Sequence, residues 1–176
     1  MSPFFPETDP PMIRWPERYH PERTPVHACN ELRSPAPAGV LWAWLVRAAL
    51  WPTWYENSSN VEFLKGAGPD LAPGTVFRWR TFGVTVTSRV EEFVPGERIG
   101  WTARGIGVDA YHAWLLEPGA EGCRILTEET QHGWLARAGS ALMPARMEKY
   151  HQLWIEALSR QGQTGLPPDP NPADAR

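Results

Sequence analysis

Residues 60–131 fall into short runs in which apolar side chains recur at every second position, and Gly or Pro separates one run from the next. Alternation of period two requires half-buried strands, and connections this short join only antiparallel neighbours, so this stretch is a meander. The cleanest run is residues 82–90: Phe82, Val84, Val86 and Val90 fall on one face, and Thr85, Thr87, Arg89 and Glu91 on the other. Phe93 is out of phase with that set, which predicts a bulge near Glu91 and Glu92. Further runs stand at 60–65, 75–81, 97–103, 108–117 and 124–131, with turns at 66–74, 95–96, 105–107 and 118–122.

Helical spacing brackets the meander. Upstream, residues 24–33 read as one more strand with Val26, Ala28, Asn30 and Leu32 on one face. Ser34 then stands where a helix cap is needed, with Pro35 and Pro37 near the helix start, where a missing N–H costs nothing. Leu41, Trp42, Leu45 and Leu50 continue near helical spacing until Pro52, and residues 51–55 suit a short second helix or turn. Downstream, residues 135–161 read as a long helix. Met143, Met147, Tyr150, Trp154, Ala157 and Leu158 share an arc of about 100°, with Glu148, Gln152, Glu156 and Ser159 opposite. Pro144 lies inside this span, so the helix either kinks there or restarts with Pro144 in its first turn.

The ends differ in kind. Six prolines within residues 1–21 exclude a helix or central strand, leaving an extended arm that docks through Phe4, Phe5, Trp15 or Tyr19. Residues 162–176, with four prolines among polar residues, read as a disordered tail. The folded body is then 22–161, one α+β domain, as a chain of 176 residues allows.

Charge and motifs narrow the functions. A net charge of −3, with no basic run longer than two, argues against nucleic-acid or anionic-membrane partners. No apolar stretch spans a bilayer and no signal pattern opens the chain, so the expected location is cytoplasmic. Cys29 and Cys123, far apart, read as reduced thiols, and the five histidines show no paired ligand spacing; neither metal nor cofactor is expected. The G-x-G-x-x-A word at 105–110 joins two strands rather than opening a helix, so it offers no dipole to a dinucleotide.

Ten tryptophans point to an aromatic core or to cavity walls. The candidates for such walls are Trp42, Trp54, Phe77, Trp79, Val86, Trp101, Trp114, Met143, Met147, Tyr150 and Trp154. Strands 108–117 and 124–131 allow a sharper inference. A register that pairs Leu116 with Ile125 also pairs Trp114 with Thr127 and His112 with Glu129, all on the apolar face. His112 and Glu129 would then form an inward imidazole–carboxylate pair, either a self-satisfied structural pair or a general acid/base. A slip of one residue would bring Glu128 opposite His112 instead. Arg146, by angle inside the helix's apolar arc, either anchors an acidic group or snorkels to the edge.

The segments SPAPAGVLWAWL (34–45), WPTWY (51–55), PGTVFRWRTFGVTVTSRVEEFVPGERIGW (73–101), YHAWLLEP (111–118) and LTEETQHG (126–133) resemble, in order and spacing, the SRPBCC proteins, the polyketide cyclase/dehydratase-like branch of the START superfamily. The resemblance covers about residues 24–161; the Pro-rich arm is not part of it. It implies a helix-grip fold, a curled antiparallel sheet around a long C-terminal helix with two short helices after the first strand and a deep cavity between. It also implies binding of a small hydrophobic ligand, aromatic, polyketide-like or lipid-like. A second expectation is a cyclase/dehydratase-like enzyme using His112 and Glu129 with help from Tyr150. A third is an interaction module whose aromatics dock a partner, including a second copy in a homodimer.

Overall fold

The computed structural model describes residues 12–143 and 145–170. Seven strands form one antiparallel sheet: β1 (Val26–Ser34), β2 (Ser59–Lys65), β3 (Val76–Thr81), β4 (Val84–Val94), β5 (Arg98–Gly105), β6 (Val108–Gly119) and β7 (Gly122–His132). Their spatial order is β1-β7-β6-β5-β4-β3-β2, so the meander is closed by β1 returning to pair with β7. The expected bulge is present, since the β4–β5 pairing slips between Val90 and Glu92.

Phe82 departs from expectation. It forms, with Gly83, the two-residue turn between Thr81 and Val84, at φ values of 51° and 83°. Two positive φ values in such a turn match the right-handed twist of the flanking strands, so the alternating face begins at Val84.

Helices α1 (Ala38–Val46) and α2 (Trp51–Trp54) cover one half of the curled sheet. Ser34 is not the cap of α1. It ends β1, where its Oγ accepts the Ala36 N–H (3.2 Å) and the Ser159 hydroxyl (2.8 Å), and α1 starts after Pro37 without a side-chain cap.

The last segment is two helices, α3 (Trp134–Leu142) and α4 (Arg146–Thr164), so α4 runs to Thr164 rather than to 161. Pro144 itself lies outside the described residues. α3 is clamped at its start. Gly133 has a φ of 110°, and a Cβ there would come 2.2 Å from the Gly107 carbonyl oxygen, which also accepts the Leu135 N–H. The inward stripe of α4 is His151, Trp154, Ile155, Leu158 and Gly162. It is turned relative to the stripe expected from Met143 and Tyr150 because Gly162 brings α4 against α1. A Cβ at 162 would lie 2.6 Å from Leu41 and 2.8 Å from Ala36. Ser159 is consequently buried against Ser34 rather than facing solvent.

The stretch before β1 covers the other face of the sheet. Ile13 and Tyr19 form a second small core with Tyr111, Ala113, Leu115 and Leu126, and Trp15 packs on it. Tyr19 stacks on Tyr111 at 5.6 Å, donates to Asp109 Oδ1 (2.7 Å), and its carbonyl accepts the Thr130 hydroxyl (2.8 Å). β6 is thereby buried on both faces. Phe4 and Phe5 lie outside the described residues. Among the described residues no helix is long and apolar enough to cross a membrane.

Candidate functional site

The concave face is filled unevenly. Toward the β6–β7 turn, α1 and α2 press on the sheet and complete an aromatic core around Trp51. Toward the β5–β6 turn, α3 and the start of α4 stand off the sheet and leave a cavity of about 280 Å³. Trp79, Val84, Val86, Trp101 and Trp154 provide its apolar wall, Leu135, Met143 and Met147 its roof, and His112, Glu129, Gln131 and Arg146 its polar points.

Of the candidate wall residues, Trp79, Val86, Trp101, Met143, Met147 and Trp154 therefore line the cavity together with His112 and Glu129. Five others do not. Trp42 packs edge-on against Phe93 (5.2 Å) and Trp54 against Trp44 (6.5 Å). Phe77 is fully buried against Trp51 (5.8 Å), and Trp114 stacks beneath His112 at 5.4 Å. These four belong to the half that α1 and α2 occupy, or to the core under it. Tyr150, on the edge of the α4 stripe, turns to Phe82 (5.5 Å).

The register predicted for the central hairpin is the one observed: Leu116 faces Ile125, Trp114 faces Thr127 and His112 faces Glu129. Glu128 pairs with Ala113 instead, and its carboxylate bonds His27 Nε2 at 2.7 Å. His112 Nδ1 lies 3.1 Å from Glu129 Oε2, and His112 Nε2 lies 2.7 Å from Thr127 Oγ1. His151 of α4 joins them, with Nε2 3.1 Å from the same Oε2 and its ring 4.7 Å from that of His112. Gln131 Nε2 donates to Glu129 Oε1 (2.5 Å), so both carboxylate oxygens are engaged. His151 Nδ1 is buried without a hydrogen-bond partner among the described residues.

Burial pushes His112 down to about 4, against the opposing pull of Glu129, which keeps the imidazole neutral at pH 7. Burial would raise the Glu129 carboxyl, but the imidazoles of His112 and His151, by charge and hydrogen bonding, hold it below the usual carboxylate range. An ionised carboxylate beside a neutral ring assigns the ring proton to Nδ1, with the Thr127 hydroxyl donating to Nε2. His151 is the member that the stripe expected from Met143, Met147 and Tyr150 leaves out. Its signal is the spacing 151, 155, 158, 162, which becomes the buried face only once Gly162 is read as a helix contact.

The sequence pattern of the family described as polyketide cyclase / dehydrase and lipid transport matches residues 28–161. Among curated proteins no sequence matches significantly. Among solved structures, the hypothetical protein jhp0584 from Helicobacter pylori is 31% identical with a TM-score of 0.81, over 88% of this chain and 98% of that one. The Zhui aromatase/cyclase from Streptomyces sp. R1128 is 16% identical with a TM-score of 0.65, over 78% of this chain and 93% of its own. Truncated norcoclaurine synthase from Thalictrum flavum is 14% identical with a TM-score of 0.59, over 77% and 91%. The last two likenesses concern the helix-grip fold alone. Because the family pattern spans most of the chain, the chain belongs to the polyketide cyclase / dehydrase and lipid transport family.

Proposed function

We propose that this protein binds a small, mostly apolar ligand of one or two fused rings that carries an oxygen function. The observation that supports it is a polar pair, His112 and Glu129, set among the aromatic and aliphatic side chains Trp79, Val84, Val86, Trp101 and Trp154 of the cavity wall. Such a lining holds the ligand's body by burial and its orientation by a few directed polar contacts. A volume of about 280 Å³ lies just under the usual range of roughly 300–1,000 Å³, which favours compact skeletons over four-ring ones. Arg146 borders the cavity with its guanidinium 5.7 Å from the Phe82 ring and 5.9 Å from that of Tyr150, in position to meet an acidic group at the mouth.

Cyclase or dehydratase chemistry is the second reading, and the same pair on the cavity wall favours it. One feature weighs for binding: a general base works best with a pKa near the operating pH, and His112, at about 4, is well below it.

Intrinsic fluorescence reports directly, since Trp79, Trp101 and Trp154 line the cavity. Titration with mono- and bicyclic phenols, aromatic acids, flavonoids and fatty acids should give saturable quenching by the compact ring compounds. Arg146→Ala should weaken aromatic carboxylates about tenfold, equivalent to about 1.4 kcal/mol, and leave neutral phenols unchanged. Absence of a saturable response to every class would overturn the proposal. Conversion of a β-polyketone surrogate to an aromatised product, lost in Glu129→Gln, would replace binding by catalysis.

A further inference from the structure

The polar end of the cavity holds two imidazoles and one carboxylate, and their geometry extends beyond hydrogen bonding. One ligating atom from each of His112, Glu129 and His151 falls within 4.8 Å of the other two. Nδ1 of His112 and Nε2 of His151 each stand 3.1 Å from the same carboxylate oxygen, Oε2 of Glu129. Donors held about 2.1 Å from one cation at right angles to each other are about 3 Å apart, so two of the three donor separations already match. We propose that His112, Glu129 and His151 bind one divalent first-row transition cation, of the Zn²⁺, Co²⁺ or Fe²⁺ kind, whose remaining coordination positions open into the cavity.

The surroundings suit that role. To bind a cation through Nδ1, His112 must carry its proton on Nε2, and that proton needs an acceptor. Thr127 Oγ1 stands 2.7 Å away and can accept it, because the hydroxyl's own proton has an acceptor in the Ala113 carbonyl at 3.2 Å. The Thr127 hydroxyl therefore serves either tautomer of His112. Gln131 holds Glu129 Oε1 and leaves Oε2 as the ligating oxygen. Binding through Nε2 of His151 places that ring's proton on the buried Nδ1, which has no partner among the described residues, a cost that the cation's bonds must offset. His112 and Glu129 both border the cavity, whereas His151 is fully buried behind them. With two neutral imidazoles and one carboxylate, a divalent ion keeps one positive charge. Its open side would take a phenolate, enolate or carboxylate oxygen of a cavity ligand.

The test uses the ion without any organic ligand, so its outcome is separate from that of the ligand proposal. The full chain, stripped with a chelator and dialysed, is titrated with CoCl₂ and read by visible absorption and calorimetry. One Co²⁺ per chain is expected, with ligand-field bands that Zn²⁺ abolishes. Glu129→Gln and His151→Ala should each weaken binding by more than the roughly 10–100-fold expected for Thr127→Val, which removes only a supporting hydroxyl. His27→Ala, which breaks the separate pair with Glu128, should leave it unchanged. Where His151→Ala fails to fold, the near-isosteric Glu129→Gln carries the comparison. Absence of Co²⁺ binding, equal binding by folded Glu129→Gln, or loss on His27→Ala would each overturn the proposal.

Discussion

Trp154→Ala should destabilise the protein by about 3–5 kcal/mol, which for a chain of this size lowers the Tm by about 6–20 °C. The indole is 1% exposed and stands where the long helix meets the sheet. It stacks on Tyr55 at 4.4 Å and 9°, and meets Trp51 at 5.2 Å, Trp114 at 5.0 Å and the His112 ring at 5.2 Å. Aromatic pairs of this kind add about 0.5–1.5 kcal/mol each beyond area burial. The indole N–H has no partner among the described residues, so no hydrogen bond there offsets or adds to the loss. Trp134→Ala is the control: that side chain is 68% exposed and its removal should cost no more than about 0.5 kcal/mol. Chemical denaturation of both variants checks the contrast. A cost under about 1 kcal/mol for Trp154→Ala would show that the aromatic cluster does not hold α4 to the sheet.

Freed of divalent cations, the protein should lose stability progressively as the pH falls below 6.5. The titratable groups facing His112 are Glu129 on β7 and His151 on α4. In the unfolded chain His112 takes up a proton near its ordinary value of 6.5, whereas burial in the fold delays uptake to about 4. Between those values the unfolded state binds more protons, so stability rises with pH across the window and is fully present above it. Glu129 acts in the same sense at lower pH. Its folded value is depressed, so the stability it contributes is present above its ordinary 4.5 and is lost as acid protonates it. Melting curves at pH 7.5, 6, 5 and 4.5 should show the decline, and His112→Gln should flatten its upper part. Stability constant or rising on acidification would exclude a neutral buried His112.

The sheet and the His112–Glu129 pair were legible because they rest on local rules. Alternation on β6 and β7, with a short turn between them, leaves few registers, and the one that keeps Trp114, Leu116 and Ile125 on one face sets His112 opposite Glu129. What escaped was decided between elements distant in sequence. The rotation of α4 depends on Gly162 meeting Leu41 and Ala36, a contact that no periodicity contains, and it carries His151 inward and Tyr150 aside. Trp42, Trp54, Phe77 and Trp114 have the composition of cavity wall, but α1 and α2 fill the half of the groove to which they belong. Phe82 continued an alternating run, yet the hairpin needed two positive φ values there. Trp15 and Tyr19 stood out as docking residues, while the face they cover became visible only with Tyr111 and Leu115 beneath them.

The aromatic core has an optical consequence. Trp51, Trp79, Trp101, Trp114 and Trp154 form a connected set with ring centroids 5.0–6.3 Å apart along its links. At such separations excitation passes between indoles faster than it is emitted, so these five rings behave as one antenna rather than as independent lamps. Three of them touch the cavity. A single molecule bound there would drain light absorbed by rings it never meets, and the emission lost on binding would count the whole antenna.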